Sequence, residues 1–343
     1  MIIVMRHGAS NAEIDAVVAR IRAAGLGEHV SRGTERTLIG AIGDERALEA
    51  ALFERMPGVE RAMRVVKQYR IVARETCPTS SIVQVRGVQF GGEAVQIIAG
   101  PPAIESDGQI EDAALSVRAS GCRLLHGAAF KQRDNPYSFQ GLGVEGLELL
   151  RGAGARQGLP VLSELTDVRQ VDAFLEFDID ALIIGARSMA NADLLKEVGR
   201  LNKPVVLKRG PAATLGEWLM AGEYIAAGGN HNIIFCECGV KSMEPAYRTM
   251  LDLSAVVALK QETHLPVIVE PAHATGKAWM VPSLSAAALA AGADGLLIDM
   301  HPDPAQARCH VEQAMRPDDL ASLVKMLSPL AKTLGRSLPP AVS

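Results

Sequence analysis

The chain has 343 residues, 48% hydrophobic and 22% charged, with a formal net charge of −4. That length accommodates one barrel-sized domain and a small one, and an aromatic content of only 4% leaves the core to aliphatic side chains. The acidic balance without a basic run argues against a nucleic-acid binder, and no apolar stretch approaches the roughly 20 residues of a membrane-spanning helix.

The N-terminus opens directly on a strand, MIIVM, with no signal segment ahead of it. Asn11 to Ala24 places Ile14, Val17, Val18 and Ile21 at helical spacing, and Gly25 ends that helix. HVSRG and RTLIGAIG read as strands, with a helix around Glu45 to Arg55 and a last strand in ERAMRVVKQYRIVA. That order, βαββαβ over residues 1–75, is the split pattern of a ferredoxin-like domain. Residues 76–92 hold a linker, TCPTSS, and a hairpin, IVQVRGVQFGGE, placed to cap the bottom of the next domain.

From Val95 onward, short apolar strands alternate with amphipathic helices: VQIIAG, CRLLHG, PVLSEL, ALIIGA, PVVLKRG, NIIFCECG, PVIVEPAH and GLLIDMH. Eight such units over residues 93–343 predict an α/β fold of the (β/α)8 TIM-barrel type. Chemistry in such a barrel sits at the C-terminal strand ends, where His126, Lys131, Glu164, Arg187, Lys208, Arg209, Glu237, His273, Asp299 and His301 concentrate. The five cysteines (Cys77, Cys122, Cys236, Cys238 and Cys309) have no staple spacing, so reduced thiols and a cytoplasmic location are expected. Three weaker signals are set aside. Arg6-His7-Gly8 lacks the partner elements of a histidine phosphatase, Cys236 and Cys238 have no second pair for a metal site, and the glycines around Gly141 lack the context of a dinucleotide fingerprint.

The motifs PYSFQGLG (136–143), KPVVLKRG (203–210), LDLSAV (251–256) and HLPVIVEPAHATG (264–276) resemble those of 3-deoxy-7-phosphoheptulonate (DAHP) synthases with an N-terminal ferredoxin-like regulatory domain, across essentially the whole chain. The resemblance implies an aldol-type synthase joining phosphoenolpyruvate to erythrose 4-phosphate, a divalent metal (manganese, iron or zinc) that polarises the aldehyde, no nucleotide cofactor, and a homodimer or homotetramer. It assigns the donor's anionic groups to Lys131, Arg187 and Lys208, acceptor contacts to Arg133 and Asp134, and catalytic roles to Lys131, Lys208, Glu237 and His273. His126, Glu164, Arg209 and Cys238 complete the implied substrate contacts, with Glu237 and Glu164 ordering water or relaying protons. His29 and Ser31 match positions that contact an aromatic amino acid effector in the family; alternatively that segment only holds the domain's fold and subunit contacts.

Several family positions are changed. The arginine before the glycine of the second barrel strand is His126, and the arginine of the CERG motif is Cys238. The KPRTS loop reads KQRDN at 131–135, which puts the carboxylate of Asp134 where a threonine meets phosphate. Of the four metal ligands, the cysteine is Pro102, the histidine is kept as His273, the glutamate is Asp299 and the aspartate aligns with His310. His273, Asp299 and His310 have the composition of a two-histidine, one-carboxylate site; the alternative is a site that binds nothing tightly. These changes point to the family's aldol chemistry on a different, less phosphorylated substrate pair in specialised metabolism. The alternatives are a non-catalytic regulatory or binding homologue and a barrel lyase running the cleavage direction.

Overall fold

The computed structural model describes residues 1–33, 36–43, 49–63 and 68–338. The first strand, β1 (Ile2–Met5), is buried along its whole length because both its faces are covered by apolar cores. Strands β3 (Thr37–Ile42) and β4 (Val59–Met63) flank it antiparallel, and β2 (Gly27–Arg32) pairs with β3, which gives the sheet order β2-β3-β1-β4. Helix α1 (Asn11–Ala23) starts at a reciprocal capping box between Ser10 and Glu13 and buries Ile14, Val17 and Ile21. The second helix, α2 (Ala50–Glu54), is shorter than its prediction; residues 45–48 of that prediction, and 64–67 of the last predicted strand, lie outside the described residues.

Strand alternation sends the two faces of this sheet to different cores. Met1, Ile3, Met5 and Ile39 pack with α1 and Phe53 of α2. Ile2, Val4, Leu38 and Met63 join the large core around the barrel. The connecting segment is held to the barrel by polar contacts: the Ile71 and Val72 amides donate to Glu223 at 2.9 and 3.1 Å, and the Tyr69 hydroxyl donates to Glu262 at 2.6 Å.

The hairpin of β5 (Val83–Val85) and β6 (Val88–Phe90) leads into a closed barrel of eight parallel strands. These are β7 (Gln96–Gly100), β8 (Leu124–His126), β9 (Val161–Glu164), β10 (Ala181–Ile184), β11 (Val205–Lys208), β12 (Ile233–Glu237), β13 (Val267–Val269) and β14 (Gly295–Asp299). Val83, Val85, Val88 and Phe90 of the hairpin cluster with Ile98, Leu124, Val206, Ile234, Cys236 and other inward-facing barrel residues, so the hairpin plugs the N-terminal end. The opposite end stays open to the strand-end loops. Gly100 permits the close approach of β7 to β8, since a Cβ there would lie 1.9 Å from the His126 carbonyl oxygen. All five cysteines are free, and no helix among the described residues is long and apolar enough to cross a membrane.

Candidate active site

A cavity of about 830 Å³ opens at the C-terminal end of the barrel. Each strand contributes to its wall: Pro102 after β7, His126 and the Lys131–Asp134 loop after β8, Glu164 at the end of β9, and Arg187 after β10. Lys208 ends β11, Cys238 lies just past β12, Glu270 and His273 lie past β13, and Asp299 ends β14 with His310 in the loop beyond. Gly185 leaves room for Glu164, whose Oε1 would lie 2.1 Å from a Cβ at that position.

Strand parity decides which polar side chains enter. On β11, Val206 faces the barrel interior, so Lys208 does too, whereas Arg209 shares the outer side with Val205 and Leu207. On β12, Cys236 and Cys238 face in and Glu237 faces out with Ile233 and Phe235. Arg209 and Glu237, expected at substrate, therefore lie behind the cavity wall. Arg209 Nη1 donates to Glu237 at 2.9 Å and to Asp252 at 3.0 Å, and the Gly239 amide donates to the other Glu237 oxygen at 2.7 Å. Both residues are buried and hold the β11 and β12 ends together.

Two of the cations that enter, Lys208 and Arg187, are paired with carboxylates of the protein itself. Lys208 Nζ donates to Glu270 Oε1 at 2.9 Å, with both side chains almost wholly buried. Burial works against the charged lysine, but Glu270 and Glu164 outweigh it and hold its pKa above the ordinary value. Burial pushes Glu270 up to about 7, and its Oε2 is buried without a hydrogen-bond partner among the described residues. At the rim, both Arg187 terminal nitrogens donate to the carboxylate of Asp134, one at 2.8 Å. Lys131 Nζ reaches the Pro102 carbonyl at 2.8 Å. Cys238 is a buried thiol whose Sγ lies 3.3 Å from the Arg209 carbonyl, and burial raises its pKa well above the usual range.

The three cavity histidines, His126, His273 and His310, are held below their ordinary pKa. Burial pushes His126 down to about 4, although Asp299 lies 3.6 Å from its Nε2, and that nitrogen donates to the Ile298 carbonyl at 3.2 Å. His273 sits well below its ordinary pKa, first through burial and then through Lys208 and Arg248. His310 is pushed down to about 3 by burial and by Lys131. His301 stands outside the cavity, buried, with its Nε2 3.5 Å from Glu105 and its Nδ1 accepting from the Asp303 amide.

These residues do not fit a divalent ion. Among the described residues no three His, Cys, Asp or Glu side chains group where they could hold one, so His273, Asp299 and His310 are not brought together as ligands. The reason lies in their partners. Pro102 has no donor side chain and its carbonyl is taken by Lys131. Asp299 meets His126 on one oxygen and accepts from Gln313 on the other. His310 lies between the guanidiniums of Arg133 and Arg248, at 3.3 and 3.5 Å. Four cationic side chains, Lys131, Arg133, Lys208 and Arg248, line this end of the cavity.

Arg248, Glu270 and Gln313 were not among the sequence candidates. Glu270 had a readable signal, a lone carboxylate closing the apolar run VIVE, whereas Arg248 lies in a long loop that carries no pattern. In the small domain, the Ser31 hydroxyl lies 3.0 Å from His231 and 3.3 Å from the Ala226 carbonyl of the barrel, and His29 Nε2 is buried without a partner among the described residues. The expected effector pair thus sits on the strand that docks the two units.

Two family models match: the DAHP synthetase I family over residues 72–335 and the DAHP synthase ferredoxin-like domain over residues 1–67. A phospho-2-dehydro-3-deoxyheptonate aldolase of Thermotoga maritima is 40% identical over 335 residues, covering 98% of this chain and 99% of that protein. A 2-dehydro-3-deoxyphosphooctonate aldolase of Syntrophotalea carbinolica is 31% identical and covers 71% of this chain and 93% of its own. The crystal structure of the Thermotoga maritima phospho-2-dehydro-3-deoxyheptonate aldolase (DAHP synthase) superposes with a TM-score of 0.78 at 39% identity, over 98% of each chain. A truncated Thermotoga maritima 3-deoxy-D-arabino-heptulosonate 7-phosphate synthase gives 0.73 at 36% identity, over 78% of this chain and 98% of its own. The chain belongs to the type I DAHP synthase family, in the form that carries a ferredoxin-like domain ahead of its barrel, and is an aldol-type transferase.

Proposed function

We propose that the cavity condenses a three-carbon enol or enolate donor, phosphoenolpyruvate- or pyruvate-like, with an aldehyde that carries less phosphate than erythrose 4-phosphate, in specialised metabolism. The observation that carries the reading is the internal neutralisation of the clamp: Arg187 is spent on Asp134 and Lys208 on Glu270, while His126 is neutral and Cys238 is a thiol. A phosphate dianion needs several charge-assisted bonds from fixed cations, and recruiting Arg187 or Lys208 to that task means breaking the ion pair each already makes.

In the condensation a bond forms between the donor's methylene carbon and the aldehyde carbon, and the aldehyde oxygen gains a proton; a phosphoenolpyruvate-like donor takes water at its C2 and releases inorganic phosphate, whereas a pyruvate-like donor first gives up a methyl proton to a base. Lys131 and Lys208 would hold the donor carboxylate. Glu270, with one oxygen unpartnered among the described residues and a pKa near neutrality, is the group best placed by its chemistry to supply or accept that proton. Asp134 would take a hydroxyl of the acceptor, and Glu164 would order water. The donor set at the corner of Asp299 and His310 does not fit a divalent ion. Residues 1–75 would form a regulatory unit answering to an aromatic amino acid, in a homodimer or homotetramer, with 76–92 as linker and hairpin and 93–343 as the catalytic barrel.

The test is donor consumption with phosphoenolpyruvate or pyruvate against erythrose 4-phosphate and against unphosphorylated aldoses, with product identified by mass spectrometry. Faster turnover of an unphosphorylated aldehyde is the expected result. A preference for erythrose 4-phosphate with phosphoenolpyruvate would restore the family's own pair and refute the change of substrate.

A further inference from the structure

We infer that Arg133, His310 and Arg248 form an anion-binding subsite, so that the corner of the cavity where the resembling family holds a cation has reversed its charge preference. The subsite rests on the proposed condensation and names what one substrate must present there: a carboxylate or phosphate oxyanion.

The first observation is stereochemical. Arg133 Nη1 lies 3.3 Å from His310 Nε2, and Arg248 Nη2 lies 3.5 Å from His310 Nδ1. Guanidiniums only donate, and a neutral imidazole has a single acceptor nitrogen. His310 can therefore satisfy one of the two arginines, and the other N–H faces another N–H. The second is the balance of counter-charges. Among the described residues neither guanidinium has a carboxylate within ion-pair distance, whereas Arg187, Lys208 and Arg209 in the same barrel end all do. Asp299, the acid in the cavity wall on this side, is engaged by His126 and Gln313.

The third is placement. All three residues line the cavity, and Arg248 is oriented by a hydrogen bond from its Nη1 to the His273 carbonyl at 3.2 Å. His310 adopts a left-handed backbone, φ 56°, rare for a residue with a side chain and characteristic of sites that the surrounding structure holds in place. An oxyanion offers acceptor lone pairs to both guanidiniums and relieves their mutual repulsion, which a divalent cation would aggravate.

Calorimetric titration of the full-length protein tests this without any turnover, using sodium phosphate, sodium pyruvate, MnCl2 and ZnCl2 as separate probes in a non-coordinating buffer. The expected result is saturable binding of phosphate or pyruvate that Arg248→Gln weakens about tenfold or more, equivalent to one lost charge-assisted bond. Arg248→Lys should weaken it less. His310→Asp, which supplies a carboxylate internally, should abolish it. Lys241→Gln, elsewhere on the rim, should leave it within about twofold. Unchanged thermal unfolding of each variant establishes that it folds, and the lysine variant serves if the glutamine one does not. One-site binding of manganese or zinc that Asp299→Asn removes, or anion binding indifferent to both Arg248→Gln and His310→Asp, would overturn the inference. So would the absence of saturable anion binding to the unmodified protein. Anion binding without condensation activity would sink the proposed reaction and leave the subsite standing; activity with no such binding would do the reverse.

Discussion

Replacing Lys208 by methionine should cost this protein more than any change to a rim charge. Lys208 and Glu270 are 8% and 2% exposed, and among the described residues Lys208 supplies the one hydrogen bond that the Glu270 side chain receives. Removing the lysine strands a buried carboxylate with both oxygens bare, and breaking a buried pair from one side costs about 3–5 kcal/mol. At about 2.1 cal/mol/K of unfolding entropy per residue, a chain of 343 residues shifts by roughly 1.4 °C per kcal/mol, so the melting midpoint should fall by about 4–7 °C. The loss should depend on pH. Glu270 already titrates near 7 with its lysine present, and without it the carboxyl is pushed higher still. At pH 5 the acid is protonated in both proteins and the penalty is small; at pH 8 the unmodified protein has its ion pair and the variant has none. The double variant Lys208→Met, Glu270→Leu should recover most of the stability, since neither charge is then left alone. Thermal unfolding measured by circular dichroism at the two pH values is the assay. A single variant within about 1 kcal/mol of the parent at pH 8, or a loss equal at both pH values, would refute the claim that Glu270 depends on Lys208.

Packing and charge elsewhere set further outcomes. Phe90→Ala empties the plug at the closed end of the barrel, where the ring is fully buried, and should cost about 3–5 kcal/mol in urea unfolding. Gly100→Ala forces a Cβ onto the His126 carbonyl and should cost about 3 kcal/mol or more, read as lost soluble yield and a lower midpoint. Asp134→Asn opens an exposed rim bridge, so the melting midpoint should not move, whereas Arg187 is released and phosphorylated aldehydes should bind more tightly in calorimetry. His126 and His264, both held down to about 4 by burial, stay neutral in the folded protein while the unfolded chain takes up protons below about pH 6.5. The stability they contribute is complete above that pH and is lost as the pH falls from about 6.5 to 4. Glu270, held up near 7, opposes this by regaining stability on acidification, so Glu270→Gln should steepen the acid loss in pH-dependent unfolding.

Much of the architecture was legible without coordinates because it depends on local pattern. The apolar strands between amphipathic helices, the helix beginning at Asn11 and the hairpin before Val95 are each encoded by residues close together in the chain. Parallel strands closing a barrel must deliver their ends to one mouth, which is why Lys131, Glu164, Arg187, Lys208, His273 and Asp299 converge on one cavity. The outward orientation of Arg209 and Glu237 was also readable, since each neighbours an inward residue on an extended strand. The electrostatics were not readable. Glu270 lies 62 residues from Lys208, Asp134 lies 53 from Arg187, and His310 lies 177 from Arg133 and 62 from Arg248. Sequence alone determined that strand-end charges such as Lys131, Lys208 and Asp299 reach the barrel mouth, though not that Arg248 joins them. Only the tertiary structure decided which of them cancel, because ion pairing depends on angstrom-scale distances between strand-end loops that chain order does not set.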